Sequence, residues 1–319
     1  MYKYVIKRIL LMIPVLLGVI LIIFVLNEIS TGDPAMAVAG EMASEEDLEN
    51  IREDMGLNKP IYVRFYEYVT GVVFRGDFGT SFMTKQPVSK EVFDRLPTTM
   101  VLASISMLFA LIIGIPTGII SATRQYSWID NVCTCLGLIG VSMPAFWHGL
   151  LDIMIFSIYL GWLPASGFYG PKYWILPAIA VGSGCAAQIM RMTRSSMLDV
   201  IRQDYIKAAR AKGLTEHEII FKHALKNALI PILTVIGMNF GILLGGSVLT
   251  ETVFSIPGLG KYIVDAIKTR NYPVIQGGVL LLAIIFSFVM LIVDLLYAFV
   301  DPRLKSMYKT SSKKQKEVS

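Results

Sequence analysis

Residues 199–231 read DVIRQDYIKAARAKGLTEHEIIFKHALKNALIP, the one long polar and cationic stretch between two apolar runs of this chain. Asp204 is predicted to be the N-cap of a first short helix, because the alanines at 208, 209 and 211 favour helix. Gly213 can then end that helix at positive φ. The pattern predicts a short helix followed by a sharp bend.

A second helix is predicted directly after the bend. Thr215 and Glu218 have the Thr-x-x-Glu spacing of a capping box. Pro231 marks the point where this second helix should kink or give way to the next apolar run. A helix–bend–helix that is exposed between two apolar runs can dock into a groove on another protein, and this is our first functional hypothesis.

The composition places the chain in a membrane. Of its 319 residues 54% are hydrophobic and only 17% are charged, whereas soluble domains carry about a quarter charged residues. Uncharged runs are long enough to cross a bilayer, which takes about 20 helical residues. Cys133, Cys135 and Cys185 lie in such runs, and the Cys-x-Cys spacing is not that of a zinc or redox site, so we interpret them as packing residues.

Six spans are predicted, which makes the fold class an all-α polytopic membrane protein. They cover residues 9–26, 96–123, 131–151, 173–190, 227–250 and 271–293. The third continues through an uncharged stretch at 153–159, and the sixth continues to about residue 300. Although the first span resembles a signal peptide, its uncharged length and the spans that follow favour an uncleaved helix.

Positive charge orients these spans. With both termini in the cytoplasm, the inside segments 1–8, 124–130, 191–226 and 301–319 hold most of the 29 lysines and arginines. The helix–bend–helix then lies in the cytoplasm. We expect four regions: residues 1–29 with the first span, an extracytoplasmic loop region at 30–95, a five-span core at 96–305, and a basic cytoplasmic tail at 306–319.

The loop region should contain short helices of its own. Ser44, followed by three acids, is predicted to begin one that Gly56 closes. Pro60 precedes a second segment whose aromatic residues suit a membrane interface.

Two enzyme-like motifs fail on spacing. His217 and His223 are six positions apart, whereas a zinc-protease helix needs four. The PGLGK run at 257–261 lacks the leading glycine and the hydroxyl of a P-loop. We therefore expect this chain to have no nucleotide site and no metal site of its own.

Three acids lie at or within the apolar spans: Glu28, Asp152 and Asp294. Glu28 and Asp294 lie close to span ends. Asp152 lies deeper, where an acid either lines a pathway or makes a helix–helix hydrogen bond. Glycines at 237, 241 and 245 form one small-residue stripe on the fifth span, which we interpret as a helix–helix interface.

Several motifs together resemble a known family. They are RMTRSSMLDV at 191–200, DYIKAARAKGL at 204–214, HALKNA at 223–228, TGDP at 31–34, GDFG at 76–79, VSMP at 141–144, GWLP at 161–164, FSIPGLG at 254–260, NYPVIQ at 271–276 and DPR at 301–303. The combination, which covers essentially residues 1–305, resembles the B-type permease subunit of the dipeptide/oligopeptide/nickel branch of ATP-binding-cassette importers.

The resemblance implies a type I importer permease fold and a set of partners. These are a homologous second permease, two ATP-binding-cassette ATPase subunits that use ATP and magnesium, and an extracytoplasmic substrate-binding protein, in addition to the lipid bilayer. No nucleic acid is expected, and no cofactor bound by this chain. The family's ATPase-coupling positions fall on Asp204, Tyr205, Ala208, Ala209, Arg210, Lys212, Gly213, Thr215 and Glu218. Lys207 stands where the general permease motif has glutamate, so that contact is not carried over.

The resemblance favours a di- or oligopeptide cargo, with nickel and glutathione importers of the same branch as alternatives. Met143, Pro144 and Asp152 are candidates for the pathway. A proton-coupled secondary transporter is the alternative from another class, because it would give the intramembrane acids a role. That alternative predicts uptake by this polypeptide alone. The importer hypothesis also predicts that the protein lies in the inner membrane of a bacterium or archaeon.

Overall fold

The computed structural model describes residues 2–30, 32–40 and 43–300, so the predicted tail at 306–319 lies outside it. The described chain is helical and contains one isolated β-bridge, between Thr80 and Pro87. This confirms the all-α prediction. It divides into two compact units, one with Tyr2–Val101 and Leu244–Ser287, the other with Leu102–Leu243 and residues 288–300.

The helices, in chain order, are α1 (Tyr2–Ile29), α2 (Pro34–Ala39), α3 (Glu45–Asp54), α4 (Ile61–Arg75), α5 (Val88–Thr123), α6 (Trp128–Ser142), α7 (Ala145–Asp152), α8 (Ile175–Ile201), α9 (Asp204–Ala211), α10 (Glu216–Glu218), α11 (Leu225–Gly246), α12 (Val248–Val253), α13 (Leu259–Lys268) and α14 (Tyr272–Val300). A π-helical stretch, Ile153–Tyr159, follows α7, and another, Ile219–Ala224, joins α10 to α11. A short 3₁₀ turn, Pro171–Trp174, precedes α8.

Five helical segments of the described chain are long and apolar enough to cross a membrane. The predicted third span is the exception. It is not one straight helix, because α6 and the segment Ala145–Tyr159 meet at an angle of 105°. The break falls at Met143 and Pro144, where Met143 is extended (φ −86°, ψ 125°) and proline lacks the N–H of a helical hydrogen bond. If the bent pair is one span, the count is the predicted six.

The fifth span also differs from the prediction at both ends. Pro231 lies inside α11, so the helix that starts at Glu216 neither ends nor gives way there but continues as the span itself. The irregular part is the π-helical stretch that comes earlier, at Ile219–Ala224. At the other end α11 stops at Gly246 rather than at residue 250, and α12 begins after Ser247.

In the unit of residues 2–101 and 244–287, the segment after the first span is ordered as the sequence suggests. Ser44 caps α3 by accepting a hydrogen bond from the Asp47 amide, and Gly56 follows the helix at φ +67°. The α4 helix packs on α1, where Phe24 contacts Phe65 edge to face with ring centroids 5.6 Å apart. Burial of aromatic rings in this geometry stabilises the contact beyond its area.

In the other unit, glycines bring two membrane helices close together. A Cβ atom at Gly114 would lie 2.7 Å from the Ala186 carbonyl oxygen, and one at Gly118 would lie 2.7 Å from that of Met190. The α5 and α8 helices therefore approach each other closely enough for their backbones to touch, which small residues permit. On the fifth span, Gly237 faces Val293 in the same close way, whereas Gly245 has no neighbour within 4 Å. Within the described chain, the predicted stripe packs against another helix at Gly237.

The loop that resembles a P-loop is filled by a carboxylate of the chain itself. Glu251 is fully buried and accepts hydrogen bonds from the Thr99 hydroxyl (2.8 Å), the Ser247 hydroxyl (3.1 Å) and the Lys261 amide (2.8 Å). A Cβ atom at Gly258 would collide with the same carboxyl group. The loop is therefore a structural anchor for Glu251.

Glu251→Gln should destabilise the protein by about 1–3 kcal/mol, because it turns an amide NH₂ toward either the Lys261 N–H or the two hydroxyls. The loss would be measured as a lower apparent melting temperature of the detergent-purified protein. Glu46→Gln, at an exposed residue of α3, is the matched control and should leave that temperature unchanged. Equal melting temperatures for the two variants would contradict the assignment.

Candidate functional site

The first helix of the polar segment begins one residue earlier than predicted. Its N-cap is Gln203, which is extended (φ −70°, ψ 149°), and Asp204 is the first helical residue. The Asp204 carboxylate instead pairs with Lys207 at 2.9 Å on the exposed surface. The N-cap prediction for Asp204 is wrong because its side chain pairs forward along the helix, although an acid in the first turn still suits the helix dipole.

The bend after α9 has the hydrogen-bond pattern of a Schellman motif. The Gly213 amide donates to the Arg210 carbonyl at 3.0 Å, and the Leu214 amide donates to the Ala209 carbonyl at 3.4 Å. Gly213 has φ +81°, as predicted. Only glycine adopts this conformation without backbone strain, so the sequence fixes the angle of the bend at this residue.

The start of the next helix is capped as predicted. The Thr215 hydroxyl accepts from the Glu218 amide at 3.3 Å, and the Glu218 carboxylate accepts from the Thr215 amide at 3.3 Å. Across the bend, Arg210 donates two hydrogen bonds to Glu216, at 2.7 and 3.2 Å. This pairing raises the pKa of Arg210 above its ordinary value. The two arms of the bend are thus tied to each other.

One face of α9 is buried in its unit and the other is free. Ile206 is fully buried and Ala209 is 9% exposed. They pack in a cluster with residues from α5, α8 and the start of the fifth span: Ile119, Met197, Ile219, Ala224, Ala228 and Ile232. Ala209, one of the predicted coupling positions, therefore faces inward and anchors the helix.

The opposite face of α9 carries Tyr205, Ala208 and Lys212, all exposed and spaced along one side of the helix. The Tyr205 hydroxyl is held by the Asn227 side-chain amide at 3.0 Å. Arg210, Gly213, Thr215 and Glu218 are exposed as well. We call residues 204–218 the bend segment. It presents an exposed polar face with three cations and three acids, and two of the cations are paired, Lys207 with Asp204 and Arg210 with Glu216.

An ion pair with a buried carboxylate, which no local sequence pattern predicts, lies on the helix that leads to the bend segment. Asp130 is 3% exposed and receives two hydrogen bonds from Arg194, both at 2.8 Å. The Ser121 hydroxyl and the Tyr126 amide also donate to this carboxylate. The pair therefore joins the end of α5, the start of α6 and the part of α8 that leads to α9. The only local sequence signal is Ser127. It is the N-cap residue of α6, and its side chain accepts a hydrogen bond from the Asp130 amide.

The three pathway candidates lie along the bent pair. Met143 and Pro144 form its break. Asp152 is buried, with one carboxylate oxygen 3.7 Å from the His148 Nε2 and the other without a hydrogen-bond partner. His148 contacts the Ser183 hydroxyl at 2.9 Å through Nδ1. His148 thus makes the polar contact between α7 and α8. Asp152 lies four residues after His148 on α7.

Two family models cover nearly the whole chain. The model for the binding-protein-dependent transport system inner membrane component matches residues 114–306, and the N-terminal model for membrane components of such systems matches residues 1–103. The chain belongs to this permease family. Together with the relatives described next, these matches confirm the resemblance to importer permeases of the dipeptide/oligopeptide branch.

Relatives in the permease family match over their full length. The chain is 44% identical to the dipeptide transport system permease protein DppB of Alkalihalophilus pseudofirmus, over 96% of this chain and 100% of that protein. It is 42% identical to the glutathione transport system permease protein GsiC of Escherichia coli K12, over 96% of this chain and 99% of that protein. The chain is a multi-pass membrane permease.

Solved structures support the same fold. The MetNI methionine ABC transporter in an inward-facing conformation matches with a TM-score of 0.57 and 22% identity, over 67% of this chain and 97% of the MetNI chain. A second crystal form of MetNI matches with a TM-score of 0.55. At this identity the match establishes the fold, which is the type I importer permease fold.

Proposed function

We propose that this permease is one of two homologous membrane subunits of an ATP-driven importer of short peptides. ATP and magnesium are bound by two partner ATPase subunits, and this chain supplies no nucleotide site. A binding protein delivers the cargo on the side where α2, α3 and α4 lie. The observation that carries the proposal is the bend segment, which has an exposed polar face on a helix that is packed against the membrane helices.

The bend segment is built to transmit force. Ile206 and Ala209 anchor α9 in the cluster at the ends of α5, α8 and the fifth span. The Arg210–Glu216 ion pair spans the bend and links its two arms on the exposed surface. A movement of the ATPase groove would therefore shift α9 as a rigid body and move α8 and α11 with it, which is how hinge and shear motions reach distant sites.

The exposed positions of the bend segment form the proposed contact with an ATPase. They are Asp204, Tyr205, Ala208, Arg210, Lys212, Gly213, Thr215 and Glu218. Ala209 acts from beneath, by holding the helix in place. An exposed, capped helix with both acidic and basic side chains suits a polar groove. Placing this segment and both termini in the cytoplasm agrees with the excess of positive charge on that side.

Peptide cargo is proposed from the dipeptide and glutathione relatives, since glutathione is itself a small peptide-like acid. Nickel is the alternative within the branch. A proton-coupled transporter is the rival from another class, and the unpartnered oxygen of Asp152 is the observation that favours it. The rivals differ in what drives uptake, so one reconstitution separates them.

We expect proteoliposomes that hold this chain, its second permease, the ATPases and the binding protein to accumulate labelled dipeptide only with magnesium and ATP inside. Unlabelled dipeptide should compete, and nickel should not. Uptake by this chain alone under a proton gradient, independent of ATP, would overturn the importer assignment. Omission of each partner in turn is the control for leakage.

Two matched variants test the proposed contact between the bend segment and an ATPase subunit. Ala208→Trp places a large ring on the exposed face of α9, so the ATPase subunits should no longer copurify with the permease pair. Ala37→Trp places the same ring on an exposed alanine of α2, and copurification should be retained. If Ala208→Trp keeps its ATPases and its uptake, the contact surface is elsewhere.

A further inference from the structure

The unit of residues 2–101 and 244–287 contains a cavity of about 480 Å³. Its walls come from the end of α3, from α4, from the turn at residues 79–85 and from the start of α14. Phe24, Tyr68 and Tyr272 give it an aromatic wall. The volume lies within the usual range of small-molecule sites, about 300–1,000 Å³.

The charged residues that line the cavity divide into paired and unpaired ones. Arg64 pairs with Glu28 at 2.5 Å, and Glu67 pairs with Lys59 at 2.8 Å. Asp54 and Lys85 also line the cavity, but within the described chain neither side chain makes a hydrogen bond or an ion pair. The cavity therefore keeps one unpaired anion and one unpaired cation.

Lys85 is held in an uncommon backbone conformation. Its φ is +57°, which is costly for a residue with a Cβ atom. Its amide donates to the Ser81 carbonyl at 3.0 Å, and the Ser81 hydroxyl accepts from the Asn271 side chain at 2.8 Å. Asn271 also accepts from the Phe82 amide at 3.0 Å. The turn that carries the cation is thus fixed in advance of any ligand.

The cavity also has an unused hydroxyl. The Tyr68 oxygen is buried and has no hydrogen-bond partner in the described chain. Burial raises the pKa of this hydroxyl, so it stays protonated and keeps its donor. A buried polar group without a partner costs free energy, which a ligand acceptor would recover.

We propose that this cavity binds a short peptide with free termini. The peptide carboxylate would lie at Lys85, its ammonium group at Asp54, and a backbone carbonyl at the Tyr68 hydroxyl. The aromatic wall would cover a side chain. This inference rests on the proposed peptide importer, and it adds a site where the permease itself holds cargo on the delivery side.

The test uses the permease–ATPase complex in lipid nanodiscs without the binding protein. Binding of radiolabelled Ala-Phe would be measured by equilibrium dialysis, beside N-acetyl-Ala-Phe and Ala-Phe-amide. We expect Asp54→Asn and Lys85→Gln each to weaken Ala-Phe by about tenfold or more. Asp54→Asn should not further weaken the acetylated ligand, nor Lys85→Gln the amide, because each of these ligands already lacks the charge concerned.

Two neighbours serve as matched controls. Glu53→Gln and Lys90→Gln remove an exposed charge of the same kind from residues that do not line the cavity. Both should bind Ala-Phe like the unaltered complex. If Asp54→Asn and Lys85→Gln match these controls, the site is not there. Loss of binding-protein association in the two variants, with Ala-Phe binding intact, would make the surface a docking site and overturn the proposal.

The outcome is separable from that of the proposed function. If ATP-driven dipeptide uptake occurs in the reconstituted system and the cavity binds no Ala-Phe, the proposed importer function is supported and the proposed cavity site is refuted. If no combination of partners transports dipeptide, the peptide importer itself is wrong. In that case binding of Ala-Phe that survives Lys85→Gln would count against the cavity as well.

Discussion

Replacing Arg194 by alanine should destabilise the permease by at most about 3–5 kcal/mol, which is the cost of removing one partner from a fully buried ion pair, because the Arg194 side chain is itself 27% exposed. The reason is the burial of Asp130, which is 3% exposed. After the substitution its carboxylate keeps the Ser121 hydroxyl and the Tyr126 amide as close donors, and the Thr134 hydroxyl at 3.5 Å. These neutral groups do not compensate a buried negative charge.

The effect would be measured as the apparent melting temperature of the assembled complex in detergent. Arg191→Ala is the matched control, since Arg191 lies on the same helix and has no ion-pair partner in the described chain. A double variant, Asp130→Asn with Arg194→Gln, should lose less than the sum of the two single changes. If Arg194→Ala melts like Arg191→Ala, the pair does not hold α6 to α8.

Local signals predicted the bend segment well. The alanine run, Gly213 and the Thr215–Glu218 spacing each act within a few residues, and each is found as predicted. The Asp204 N-cap was wrong because two polar residues compete at this boundary. Gln203 takes the extended conformation, and Asp204 is drawn forward to Lys207. Helix ends are decided by such small differences.

Features that depend on contacts between residues far apart in the sequence could not be predicted from the sequence alone. The Asp130–Arg194 pair joins residues 64 positions apart in the sequence, and no short sequence pattern predicts it. The 105° break at Met143 and Pro144 was missed because hydropathy alone measures how apolar a run is, and an apolar run remains apolar across a bend. Conversely, Pro231 suggested a break that α11 absorbs, since a membrane helix tolerates proline where neighbouring groups compensate.

Replacing Gly213 by proline should reduce ATP-driven uptake by roughly tenfold or more while the two permease subunits still assemble. Proline fixes φ near −65°, whereas Gly213 has φ +81°. It also removes the amide that donates to the Arg210 carbonyl at 3.0 Å. The bend must then open, and the angle between α9 and the fifth span, which we propose carries the ATPase stroke, is lost.

A glycine elsewhere in the chain provides the control for this change. Gly40 ends α2 at φ +86°, and its amide donates to the Met36 carbonyl at 2.9 Å. A Cβ atom added at Gly40 would have no neighbour within 4 Å. Gly40→Pro thus causes the same strain and the same lost hydrogen bond outside the bend segment. At saturating binding protein it should keep most of its uptake. Equal losses in Gly40→Pro and Gly213→Pro would mean that uptake reports general damage to the fold, because a bend that transmits force must be more sensitive than an ordinary helix end.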